Sequence, residues 1–175
     1  VDPQGIGPNG NVAPFTEFRY TVNFQNTGTA EAKNIFIIDS ISDHLDLSTL
    51  KITDSSDPML TEFHLPNLLR FDFRNINLPD SASDPEGSKG WFSFSIKAKE
   101  DLPLGTQISN FVDIYFDYNA PIRTNSTLNT IADITYPEVN VNTTNNVCLN
   151  NDIGEVEAIV QNGTAPYKML WSNGS

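Results

Sequence analysis

Cysteine is almost missing from this chain: Cys148 stands alone, so no internal disulfide can brace the fold. Long hydrophobic runs are missing too. Nothing approaches the roughly twenty consecutive apolar residues a spanning helix needs, which excludes membrane insertion by helix. Basic residues are scarce, with ten Lys and Arg against 22 Asp and Glu and a formal net charge of −12. A protein that seeks phosphates needs clustered Lys and Arg, so neither nucleic acid nor an anionic membrane is an expected partner. Such a surface suits an exported, solvated exterior.

Histidine is also short. His44 lies in the turn-like "SDHLD" and His64 in "EFHLP", neither beside a strained G-x-S-x-G elbow. Cys148 sits among Asn145, Asn146 and Asn150, with no positive charge to hold a thiolate. No catalytic residue is expected, and the chain is read as a non-enzyme.

What is present is β chemistry. Eleven Phe, ten Gly and eleven Pro, with many Asn, Asp, Ser and Thr, describe short strands joined by turns. "FTEFRYTVNFQNTG" alternates, placing Phe18, Tyr20, Val22 and Phe24 on one face before a turn. "KNIFIIDSI" is a more continuous apolar run, as of a strand buried on both faces. "LSTLKIT" is a shorter strand. "LLRFDFRNI" sets Leu69, Phe71 and Phe73 against Arg70 and Asp72, and "WFSFSIKAK" sets Phe92, Phe94, Ile96 and Ala98 inward.

"TQISNFVDIYFDYN" is the longest strand expected, with Val112, Ile114, Phe116 and Tyr118 on its inner face, ended by Pro121 and capped by Asn119 and Asn125. "STLNTIADI" supplies one more. Seven or eight strands over about 130 residues predict an all-β, immunoglobulin-like antiparallel β-sandwich; a closed barrel shares the same periodicity.

Texture changes near Tyr136-Pro137, which divides the chain into residues 1–135 and 136–175. The second part shows two brief strand patterns, Val156 to Val160 and Tyr167 to Trp171, around "QNGTAP". It has too few apolar residues to bury a core alone. The opening "VDPQGIGPNG" reads as a cut from something longer that has left its signal peptide behind.

The stretches "FQNTGT", "LPDS" and "IYFDYNAPIRTN", spread over roughly residues 5 to 133, resemble a β-sandwich repeat of large secreted proteins in Bacteroidota, many of which carry a type IX secretion sorting tail. That resemblance implies an immunoglobulin-like structural or spacer module of an adhesin-like protein, extracellular or held at the cell surface. Its partners would be neighbouring domains of the same chain. "VCLNNDIGEVEAIVQNGTAPYKMLWSNGS" is similar to the first half of a PKD-like repeat of gliding-motility adhesins. The resemblance implies a second half with a cysteine for Cys148, absent here.

Several residues still carry candidate chemistry. Asp80, Asp84 and Glu86, in "LPDSASDPEG", place three acids at close spacing beside Gly87, an oxygen-rich set that makes Ca²⁺ the one ion to test. The spacing is not that of an EF-hand. Asp113 and Asp117, four residues apart on a strand, would stand about 13 Å apart. That exceeds the roughly 6.5–9.5 Å of inverting glycoside hydrolases and the shorter retaining spacing, which removes paired acid–base work.

Trp91 and Tyr115, opposite the core faces of their strands, are the candidate platform for an extracellular glycan, the alternative role being an accessory carbohydrate-binding module of a secreted hydrolase. "Asp39-Ser40-Ile41" and "Asp80-Ser81-Ala82" fit a Bacteroidota O-glycosylation pattern, with Ser81 the better acceptor because Ser40 lies in a strand. An intramolecular Lys–Asn cross-link needs a buried carboxyl beside both partners; Lys33, Lys97 and Asn119 offer the residue types, in composition only.

Overall fold

The computed structural model describes residues 1–64, 66–134, 138–144, 155–163, 167 and 169–171. The chain divides into two compact units, Val1–Asp133 and Ile134–Ser175. Among the described residues every regular element is a strand.

In the first unit these are β1 (Asn11–Val12), β2 (Glu17–Gln25), β3 (Ile35–Ser40), β4 (Leu45–Ser55), β5 (Leu60–His64), β6 (Leu68–Phe73), β7 (Lys89–Ala98), β8 (Gln107–Asn110), β9 (Val112–Phe116), β10 (Ile122–Arg123) and β11 (Thr127–Ile131). They form an antiparallel five-stranded sheet in the order β10-β9-β3-β6-β5, an antiparallel three-stranded sheet β2-β7-β4, and a small sheet β1-β11-β8 whose β1–β11 pair is parallel. The architecture is an immunoglobulin-like β-sandwich.

Alternation builds the core. Phe18, Tyr20, Val22 and Phe24 of β2 and Phe92, Phe94 and Ile96 of β7 are buried, facing Ile35 and Ile37 of β3 and Leu69, Phe71 and Phe73 of β6. The rings meet across the two sheets, with Phe71 4.5 Å from Phe92 and 5.7 Å from Phe94, and Phe24 5.3 Å from Phe73. Each such ring removes some 150–250 Å² from water, so a few of them supply most of the hydrophobic drive. Gly90 belongs to this packing: a Cβ there would run into the Phe24 ring, so the strand narrows to let the ring lie flat.

The first unit contains eleven strands where the sequence predicts seven or eight. Two of the extra ones, β1 and β10, are two-residue pairings too short to leave a pattern. Another, β5, is an edge strand exposed along most of its length, so it lacks the alternation of a half-buried strand.

The last comes from the expected strand 106–119, which is two. Gln107–Asn110 pairs with β11, whereas Val112–Phe116 pairs with β3 in another sheet. Ile108, Asn110, Val112, Ile114 and Phe116 are all buried, so the inward rhythm runs unbroken through the change of partner. Periodicity records which face is covered and says nothing about which neighbour supplies the hydrogen bonds.

The exit from β9 also differs. Asp117 takes a left-handed φ of 52°, the chain turns back as β10, and Arg123 pairs with Asp113. Tyr118 is therefore fully exposed at 105% and not on the inner face. The cap is the Asp117 carboxylate, which accepts the Lys33 and Asn34 backbone N–H groups at 3.1 and 2.8 Å, in place of Asn119 or Asn125. Pro121 leads into β10 and does not end the ladder, which has stopped at Phe116.

β3 is covered on both faces unequally. Ile35 and Ile37 are buried inside, while Phe36 and Ile38 are half-buried on the outside.

In the second unit, β12 (Glu138–Thr144) and β13 (Glu155–Gln161) form an antiparallel hairpin ladder from Glu138↔Gln161 to Thr144↔Glu155. Tyr167 and residues 169–171 are not in a strand, against the expected pattern there. Val139, Val141 and Val156 are more than half exposed, as two strands alone cannot cover both of their faces.

Candidate functional site

The acidic loop does not gather its carboxylates. Asp80 caps its own turn, accepting the backbone N–H groups of Ala82 and Ser83 at 3.1 and 3.0 Å and the Ser83 hydroxyl at 2.7 Å. The Ser83 hydroxyl and backbone hold its carboxyl below the usual range. Asp84 accepts the Gly87 N–H at 2.9 Å, and Glu86 pairs with the Lys89 ammonium at 2.8 Å. Each acid serves a separate turn. Among the described residues no group of three His, Cys, Asp or Glu is placed to hold a metal ion. We expect the melting temperature to be the same in EDTA and in millimolar calcium; a rise of several degrees with calcium, lost in Asp84→Asn, would reverse this reading.

Ser81 is half-buried at the start of this loop, its backbone N–H donating to Asn26. Ser40 is the more exposed hydroxyl, because it is the last residue of β3 and points away from the core. Exposure therefore favours Ser40 over Ser81 as the acceptor, against the sequence expectation.

Trp91 and Tyr115 are not brought together. Trp91 lies on β7 of the three-stranded sheet, opposite Asn23, and Tyr115 lies on β9 of the five-stranded sheet, opposite Phe36. Tyr115 and Phe36 stack face to face at 4.4 Å and 9°, and the Arg70 guanidinium lies 4.2 Å from the Phe36 centroid. Since β9 and β6 flank β3 on opposite sides, Phe36 has a partner on each face. A sugar packs on open ring faces, and both faces of Phe36 are taken.

Salt bridges extend the row. Arg70 binds Asp72 through Nε and Nη2, and Arg74 bridges Asp72 and Glu62. Burial pushes the Asp72 carboxyl up, but the two guanidiniums outweigh it and hold it low. Arg123 grips both oxygens of Asp113 at 2.8 and 2.9 Å while lying 4.1 Å over the Phe111 ring, which keeps the Asp113 carboxyl low. Asp113 and Asp117 are thus spent on different structural jobs.

His44 and His64 are exposed, the latter 3.6 Å from Glu62. Cys148 lies outside the described residues. Lys33, Lys97 and Asn119 are exposed on separate elements, so none meets the buried carboxyl a cross-link would need.

Such a carboxyl exists elsewhere. Asp39 follows Ile35 and Ile37 on the inner face of β3 and is 0% exposed. Asn110 Nδ2 donates to its Oδ2 at 3.0 Å. Tyr20 of β2 contributes its hydroxyl from the opposite sheet; burial, with the Asp39 charge as a smaller cause, pushes that hydroxyl up. Burial raises the Asp39 carboxyl from its ordinary 3.8 to about 7, the Asn110 bond partly opposing it. A bare carboxylate would cost several kcal/mol here, and the group takes up a proton instead. The sequence holds the signal: in "IFIIDSI" the acid falls two residues after Ile37, on the core rhythm.

The described polar groups of this β-sandwich serve caps, outer-face pairs and one buried acid–amide contact. Its fold is shared with a wild-type C-terminal structure of BspA, an antigen I/II polypeptide of Streptococcus agalactiae, at 19% identity and TM-score 0.51, over 82% of this chain and 50% of that one. The C-terminal domain of the Streptococcus pyogenes antigen I/II-family protein AspA is similar at 15% identity and TM-score 0.50, over 79% and 53%. BcpA, the major pilin subunit of Bacillus cereus, matches at 13% identity and TM-score 0.49, over 94% and 58%. The chain spans about half the length of these structures. No curated protein matches it. The chain belongs to the family described as a domain of unknown function (DUF7619), matched over residues 6–130.

Proposed function

We propose that the first unit is a non-catalytic spacer module of a larger secreted or surface-attached, adhesin-like bacterial protein, and that the second is part of a PKD-like repeat. The observation that carries this reading is the sandwich itself, shared with the streptococcal C-terminal domains. Its charged groups tie neighbouring segments to one another: Arg123 on β10 to Asp113 on β9, Arg74 after β6 to Glu62 on β5, Asp117 to the turn before β3. A module built this way resists shear between strands and presents whatever binding head its parent chain carries. Bacteroidota origin and a type IX export route fit the sequence motifs and belong to the same proposal.

Antibodies to the first unit should label intact cells that express the parent protein, and the chain should turn over no polysaccharide or ester substrate. Labelling only after lysis would overturn the surface reading, and hydrolysis lost on a single substitution would overturn the non-catalytic one. The accessory carbohydrate-binding role requires retention on a glycan array that Trp91→Ala or Tyr115→Ala abolishes.

A further inference from the structure

Three side chains from three sheets meet in the core: Tyr20 of β2, Asp39 of β3 and Asn110 of β8. All are at least nine-tenths buried, yet the Tyr20 hydroxyl, Asp39 Oδ1 and Asn110 Oδ1 have no hydrogen-bond partner among the described residues. Leaving three such atoms unpaired is costly, and buried polar groups of this kind ask for an explanation. Three oxygens around a carboxyl complement a group with several N–H donors, such as an amine, which Lys carries and Asn, Ser or Thr does not. Lys33, Lys51, Lys89, Lys97 and Lys99 are all exposed, so none of them fills that role.

A cavity lies beside Asn110. A half-enclosed cavity of about 240 Å³ is lined by Val1, Thr21, Val22, Asn23, Asn110 and Thr127, among others. One side of it is the edge of β2 away from β7, its one ladder partner among the described residues. Asp2 already pairs antiparallel with Arg19 on that edge, exchanging backbone bonds of 2.8 and 2.7 Å, which puts Val1 opposite Tyr20 and against the core. Extending this register by period two, a residue one before Val1 would face Thr21 and point outward. A residue two before Val1 would face Val22 and point inward, toward Asn110.

We propose that this edge receives an extended strand delivered from the N-terminal side of Val1, that a lysine on it two residues before Val1 enters the Tyr20–Asp39–Asn110 cluster, and that its amine is joined to Asn110 as an isopeptide. The balance is simple. The lysine Nζ lone pair attacks Asn110 Cγ, the new C–N bond forms, and the Cγ–Nδ2 bond breaks. Asp39, already hydrogen-bonded to Nδ2, relays the proton from the attacking amine to the leaving nitrogen, which departs as ammonia. Asp39 ends unchanged and no oxidant is needed. The apolar surroundings favour the reaction because they hold the amine neutral and nucleophilic. The bond would tie the strand beside β2 to β8, closing the sandwich covalently.

The test is intact mass. The full chain is made with three short N-terminal extensions: lysine two residues before Val1, lysine one residue before it, and arginine two residues before it. The first should weigh one ammonia less than its sequence, and the others their full mass. Asn110→Ala and Asp39→Asn in the first should restore full mass. Full mass in the first extension, with a circular dichroism spectrum and melt like those of the unextended chain, would overturn the proposal. If that extension disturbs folding, the folded 175-residue chain is incubated with the lysine-bearing strand as a synthetic peptide. An adduct of the peptide less one ammonia supports the proposal, and no adduct overturns it.

Discussion

We expect the first unit to melt at a higher temperature at pH 5 than at pH 8, and Asp39→Asn to remove most of the difference. The sign follows from where the proton sits. The folded Asp39 carboxyl titrates near 7 and the unfolded one near 3.8. Between these values the folded state keeps a proton that the unfolded state has released, so stability falls as pH rises and levels off above about 7. Below 3.8 both states are protonated and the contribution is complete. Three pK units correspond to roughly 4 kcal/mol between the two limits, enough to move the melt by several degrees.

The window from pH 5 to 8 isolates this group. Asp72, Asp80 and Asp113 have carboxyls held low by their partners, so their contributions are present above 3.8 and are lost only in stronger acid. The groups facing Asp39 are Asn110, which does not titrate, and the Tyr20 hydroxyl, which stays protonated throughout. Melts recorded at both pH values for the wild type and Asp39→Asn decide the matter. An equal pH difference in the two proteins would assign it to the general relief of a −12 surface charge instead.

Phe71→Ala is expected to lower the unfolding free energy by about 3–5 kcal/mol. Phe71 is 0% exposed and lies where the two main sheets meet, within ring contact of both Phe92 and Phe94. Its removal loses the burial of a whole ring and leaves a cavity that strands pinned on both sides cannot collapse to fill. Tyr118→Ala, at a fully exposed aromatic in the β9–β10 turn, should leave the urea midpoint within experimental scatter. Denaturant curves for the pair check both. A Phe71→Ala loss under about 1 kcal/mol would mean that the ring is not the keystone of the core.

The Phe71 stripe is legible in "LLRFDF", where alternation alone separates the buried from the exposed residues. The same holds for Phe18 to Phe24 and for Phe92 to Ile96. Asp39 was equally legible, since it stands on the inward rhythm of its strand, but an acid in an apolar run is easily read as the end of a strand. The acidic loop shows the opposite difficulty. Asp80, Asp84 and Glu86 are close in sequence, yet each side chain turns to its own backbone or to a nearby lysine, and local spacing does not reveal whether carboxylates converge.

Alternation puts Trp91 and Tyr115 outside the core, and both are half-buried on the outer faces of their strands. That they lie on different sheets depends on pairing between distant segments, as does the face-to-face seat of Tyr115 on Phe36. The sequence by itself determined the class of fold, the faces of the main strands and the identity of the aromatic core, because all three follow from the two-residue period of a strand and the cost of leaving rings in water. The tertiary structure decided which strand sits beside which, where one run changes sheets at Phe111, and that Tyr20, Asp39 and Asn110 share one buried place. Those outcomes rest on hydrogen-bond partners far apart along the chain, and a periodic pattern contains no record of them.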